Sequence, residues 1–176
     1  MSALSVLYIV LPILAVSFCH ALEVVFTARR WASHHSASSD EAHQSLVNIL
    51  FRLSGMNMSA LVIAAVVGFL AVLLSTAALF AGGLWAELVW TTVFMAYSVC
   101  ALINLVRAVT LKGYVPGLVT SIISVPLIAY AAYSLSLVWP WWGMLLFAIL
   151  GLFLAVAGHF IAQRIGRYST TISASL

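Results

Sequence analysis

Charge is what this sequence has least of. Only 6% of its 176 residues are charged, four acidic and seven basic, where a soluble domain carries about a quarter. That excludes a water-soluble globular fold. The seven Lys and Arg are also too scattered to form a nucleic-acid patch, so no nucleic-acid partner is expected. Cysteine is limited to Cys19 and Cys100, too few for a disulfide framework, and both read as buried apolar thiols. There is no Walker loop, nucleophile elbow, HExxH pair or dinucleotide fingerprint, which weighs against most enzyme classes. No basic residue precedes the first apolar run, so that run reads as a retained span rather than a cleaved signal.

What remains is apolar. Hydrophobic residues make up 65% of the chain and the mean hydropathy is +1.18, values that belong in a bilayer. With about 20 residues per span, the chain divides into five transmembrane helices forming a single all-α bundle domain over 1–176. The spans are expected at about Ala3–Thr27, Met58–Ala81, Leu84–Val109, Val115–Val138 and Gly143–Gln163. The polar stretch Trp31–Ser39 reads as a loop. Ser38 and Glu41 have the spacing of a capping box, ahead of an amphipathic helix over Asp40–Ser54 with Arg52 at headgroup level. Basic residues flank the first and third loops and the tail, while the Gly82-Gly83 and Trp139-Pro140 loops carry none. The basic side of a membrane protein is cytoplasmic. The N-terminus is therefore expected outside and the C-terminus inside, in a plasma (inner) membrane.

Small residues recur along span two (Ala64, Gly68, Ala71, Ser75, Ala78, Gly82) and span five (Ala148, Gly151, Ala155, Gly158, Ala162). Such strips predict close helix contacts in lipid. Pro12 and Pro126 lie mid-span and allow kinks, with Thr120, Ser121 and Ser124 near enough to satisfy the backbone groups that Pro126 frees.

The polar residues inside spans carry the functional expectations. Ser17, His20, Glu23 and Thr27 share about a 120° arc of the first helix. A carboxylate at bilayer depth costs roughly 2.5–3.5 kcal/mol, so this stripe must face protein or water. Spans one, three and five run in the same direction, which puts His20, Glu23, Asn104, Arg107 and His159 at similar depth. One expectation is a structural lock in which Glu23 pairs with Arg107. A second is a proton or ion site at Glu23 and His20. A third is a haem b or a divalent metal held by His20 and His159. His34, His35 and His43 read as a solvent-exposed group. Three functions follow: a subunit or accessory of a larger membrane assembly, a small oligomeric channel or proton/ion-coupled transporter, or a haem- or quinone-associated anchor. The partners implied are the lipid bilayer and further copies or other membrane subunits.

Overall fold

The computed structural model describes residues 3–35 and 58–173, and five helices hold almost all of them. They are α1 (Ala3–His35), α2 (Met58–Ala81), α3 (Leu84–Thr110), α4 (Leu118–Ser136) and α5 (Trp141–Ser173). Each contains an apolar stretch long enough to cross a bilayer, so this is a multi-pass membrane protein with five candidate spans.

The helix ends follow local chemistry. No Gly or Pro interrupts the chain between Pro12 and Gly55. Accordingly α1 continues through Trp31 to His35, over the first part of the stretch expected to be a loop. The amphipathic segment Asp40–Ser54 and His43 lie outside the described residues. α4 begins at Leu118 rather than Val115, because Gly117 takes a left-handed conformation (φ 87°, ψ 5°) that no helix continues through. α5 starts directly after Pro140 and runs past Gln163 to Ser173.

α1 packs against α2 and α4, and α3 packs against α2 and α4, so four helices close a ring. α5 lies outside that ring, across α2 and α3. Its close approach is at Gly151, where an added Cβ would stand 2.6 Å from the Ala96 backbone nitrogen and 2.8 Å from the Met95 carbonyl carbon. The span-five strip of small residues therefore makes a tight contact at Gly151, though a Cβ at Gly158 of the same strip would meet nothing within 4 Å. The span-two strip likewise makes contact only in part. Ser75 is buried, but a Cβ at Gly68 would meet nothing within 4 Å.

The ring interior has two halves. Near the α2–α3 turn it is apolar: Ile9, Val10, Ile13, Val72, Trp90, Phe94, Ala131 and Leu135 form one buried cluster. Within it Trp90 stacks on Phe94 with centroids 5.4 Å apart. Trp85, Trp141 and Trp142 are exposed at this end, as an interfacial aromatic belt requires. Toward the opposite end the interior turns polar. Cys19 and Cys100 are free thiols exposed on the bundle surface rather than buried in it.

Candidate functional site

The polar half is built around the first turn of α4. A helix start leaves backbone N–H groups unsatisfied, and a Ser, Thr, Asp or Asn side chain at the N-cap usually accepts them. Here the N-cap is Gly117, which has no side chain to do so. Glu23 of α1 supplies the acceptor instead. Its Oε1 accepts from the Val119 N–H at 3.1 Å and the Tyr114 hydroxyl at 2.7 Å. Its Oε2 accepts from the Thr120 N–H at 2.8 Å and the Thr120 hydroxyl at 2.7 Å. The helix macrodipole favours a negative charge at this position.

Gly117 is required for a second reason. A Cβ there would overlap Cε1 of His20, and would lie 3.0 Å from its Nδ1 and 3.2 Å from Nδ2 of Asn104. The missing side chain is thus the space in which the imidazole sits. One helical turn before Glu23, His20 places Nδ1 2.8 Å from Thr120 Oγ1, and its ring meets that of Tyr97 edge-on at 6.3 Å.

Thr120 therefore stands between an imidazole and a carboxylate. A hydroxyl has one proton. When Thr120 donates it to Glu23, its oxygen is left to accept from Nδ1–H of His20. This order differs from a nucleophile triad, where the imidazole lies between hydroxyl and acid. Deeper in the ring, Asn104 Nδ2 donates to Ser121 Oγ across a long 3.4 Å. The Tyr97 hydroxyl is 2.6 Å from Ser124 Oγ. Ser121 and Ser124 are completely buried. Their hydroxyls bond the carbonyls of Gly117 and Thr120, not the Ile122 carbonyl that Pro126 frees. Tyr114, in the connection before α4, has its hydroxyl pKa raised above the ordinary value. Burial is the larger cause, with the Glu23 carboxylate adding to it.

His20, Glu23 and Asn104 are thus brought to one site, but Arg107 and His159 are not part of it. The expected Glu23–Arg107 pair does not form: the carboxylate is occupied by the Tyr114 hydroxyl and by donors from the start of α4. Arg107 instead borders a groove with Val99, Leu102, Ile103 and Val106. His159 lies on α5, which packs on α2 and α3, and its Nε2 is 2.9 Å from Gln163 Nε2. The two imidazoles therefore have separate partners on helices that are not packed neighbours. Among the described residues no group of three or more His, Cys, Asp and Glu side chains is placed to hold a metal.

Sequence reasoning missed Tyr114, Gly117 and the bridging role of Thr120. Its available signal was the Pro116-Gly117 pair, a turn dipeptide placed before an apolar run.

Residues 11–131 match the model of a family described as "Protein of unknown function with HXXEE motif". Within that range His20-Ala21-Leu22-Glu23 is the one place where His and Glu have the motif's spacing, and Val24 stands at its fifth position. Val24 is buried at 3% exposure, so the second acid is replaced by an apolar packing residue. No curated protein matches the chain, and no solved structure does. The family match covers well over half of the chain and includes the two residues that clamp α4, and the protein belongs to the HXXEE family.

Proposed function

We propose that this protein is a small proton-coupled membrane transporter in which Glu23, Thr120 and His20 form the protonatable centre. One observation carries the reading: a single hydroxyl bridges an imidazole nitrogen at 2.8 Å and a carboxylate oxygen at 2.7 Å, within a membrane-embedded bundle. Such a chain has two self-consistent proton arrangements. In the first, Glu23 is ionised, Thr120 donates to it, and His20 donates from Nδ1. In the second, Glu23 is protonated and donates to Thr120, Thr120 donates to Nδ1, and His20 carries its proton on Nε2. A proton taken up at Nε2, with the Nδ1 proton passed through Thr120 to Oε2, converts the first into the second. The net change is one proton gained and the carboxylate charge neutralised. A neutral acid accepts more weakly from Val119, Thr120 and Tyr114 and loses its attraction to the helix dipole. Proton uptake thereby loosens α1 from α4, which is the coupling that a carrier needs.

The polar column supports the same reading. It runs inward from Tyr114 through Glu23, Thr120 and His20 to Asn104, Ser121, Tyr97 and Ser124, and stops at the apolar cluster of Ile13, Trp90, Phe94 and Leu135. With the N-terminus outside, as the basic residues favour, the column opens toward the cytoplasm of an inner membrane. The accessory-subunit reading draws on the strip at Gly68, where among the described residues nothing lies within 4 Å of an added Cβ.

The test is proton flux into liposomes carrying the purified protein and an internal pH dye. Flux is expected to exceed that of empty vesicles. Glu23→Gln and Thr120→Val should each lower it by about tenfold or more, the range of a positioned acid–base group. Infrared difference spectra should also show a carboxyl band appearing as pH falls and absent from Glu23→Gln. Wild-type flux no higher than in empty vesicles, or unchanged in Glu23→Gln, would leave the clamp a purely structural device.

A further inference from the structure

We infer that the outward face of α3, at its C-terminal end, binds an anionic phospholipid, with the phosphate on Arg107 and an acyl chain in the groove beneath it. Arg107 is half-buried, three residues before the end of α3. The acid expected to neutralise it is held by four donors from other residues. Among the described residues the Arg107 guanidinium makes no hydrogen bond or ion pair. A guanidinium at this depth extends toward the headgroups, where the abundant anionic acceptors are lipid phosphates. Its planar fork suits two phosphate oxygens at once.

The groove supplies the other half of the ligand. Val99, Leu102, Ile103 and Val106 line it with Arg107. Counting from Val99, the spacing is i, i+3, i+4, i+7 and i+8, one face of a helix running from the basic end toward mid-membrane. The lining is almost wholly apolar, Arg107 bordering it with its methylene stem, which matches an acyl chain below a phosphate held by the guanidinium. The occupant is anionic rather than zwitterionic, because a choline or ethanolamine lipid brings its own cation and leaves the guanidinium charge uncompensated.

Native mass spectrometry of the full chain in non-ionic detergent tests this with phosphatidylglycerol and phosphatidylcholine of identical chains. Wild type should retain phosphatidylglycerol in preference. Arg107→Gln should weaken that binding about fivefold, the factor corresponding to ~1 kcal/mol for one basic residue near an anionic surface, with phosphatidylcholine unchanged. Arg107→Lys should keep most of the preference. Leu102→Trp, which fills the groove and leaves the cation in place, should lower phosphatidylglycerol occupancy as well. Equal retention of the two lipids by wild type would overturn the inference, as would full retention of phosphatidylglycerol by Arg107→Gln. Inorganic phosphate that displaces the lipid as effectively as phosphatidylglycerol would exclude the acyl groove.

Discussion

Gly117 decides more of the site than any charged residue does. Its left-handed φ of 87° ends the connection from α3 and starts α4. Its missing side chain makes room for the imidazole of His20, and its lack of a capping oxygen leaves the helix N–H groups to Glu23. Gly117→Ala should therefore act twice. The backbone conformation alone costs a non-glycine residue roughly 1–2 kcal/mol. The new Cβ also displaces His20, so its contact with Thr120 should open. Thermal unfolding in detergent should show the first effect, and the ring-nitrogen resonances of labelled His20 the second. A variant with the wild-type melting midpoint and unchanged His20 resonances would contradict both. This residue also marks where sequence reading runs out. Glu23 and His20 were legible because a carboxylate and an imidazole in an apolar run are anomalous in themselves. Gly117 and Thr120 belong to common types in ordinary places, and their roles depend on a contact made with a residue about a hundred positions away.

Among the elements, α1 and α4 are joined by polar bonds, whereas α3 and α5 are joined by proximity. Gly151 lets α5 approach the backbone of Met95 and Ala96 so closely that even one methyl has no room. Gly151→Ala should force the two helices apart, at about the 1–3 kcal/mol typical of overpacking, seen as a lower thermal midpoint in detergent. Gly158→Ala, on the same helix with nothing within 4 Å of the new Cβ, is its control and should leave the midpoint in place. The difference between these two glycines was not readable from their spacing. A strip of small residues says that close packing is permitted, while ring order decides where it is used. The same holds for Gly68 on α2, which fits the pattern and faces outward. Span positions, by contrast, were readable nearly to the residue for α2 and α3, since hydropathy and the Gly82-Gly83 turn both mark them. The ends of α1 and α5 ran longer, because an apolar window locates a span and not the helical turns that continue beyond it.

For the whole molecule, the basic residues set the expected direction in which the polar column faces. Among the described residues every Lys and Arg belongs to the end where α1 finishes, α2 begins, α3 meets α4 and α5 terminates: Arg29, Arg30, Arg107, Lys112, Arg164 and Arg167, and in the sequence Arg52 falls between α1 and α2. The other end, with the α2–α3 and α4–α5 turns, has Trp85, Trp141 and Trp142 but no basic residue. Positive charge biases loops toward the cytoplasm, and here no loop opposes the bias. A reporter active only in the cytoplasm should work when fused after Leu176 and fail when inserted between Gly82 and Gly83, and a periplasmic reporter should give the reverse. Orientation and mechanism are tied together by Glu23, which lies at the basic end of its span. If the fusions agree, Tyr114 and Glu23 meet cytoplasmic protons first, and Trp90, Phe94 and Leu135 stand between them and the outside. In vesicles of sorted orientation, a pH step on the basic side should then protonate Glu23 sooner than the same step on the tryptophan side. Fusions of the opposite sign would keep the ring and the clamp but reverse the face from which the proton enters.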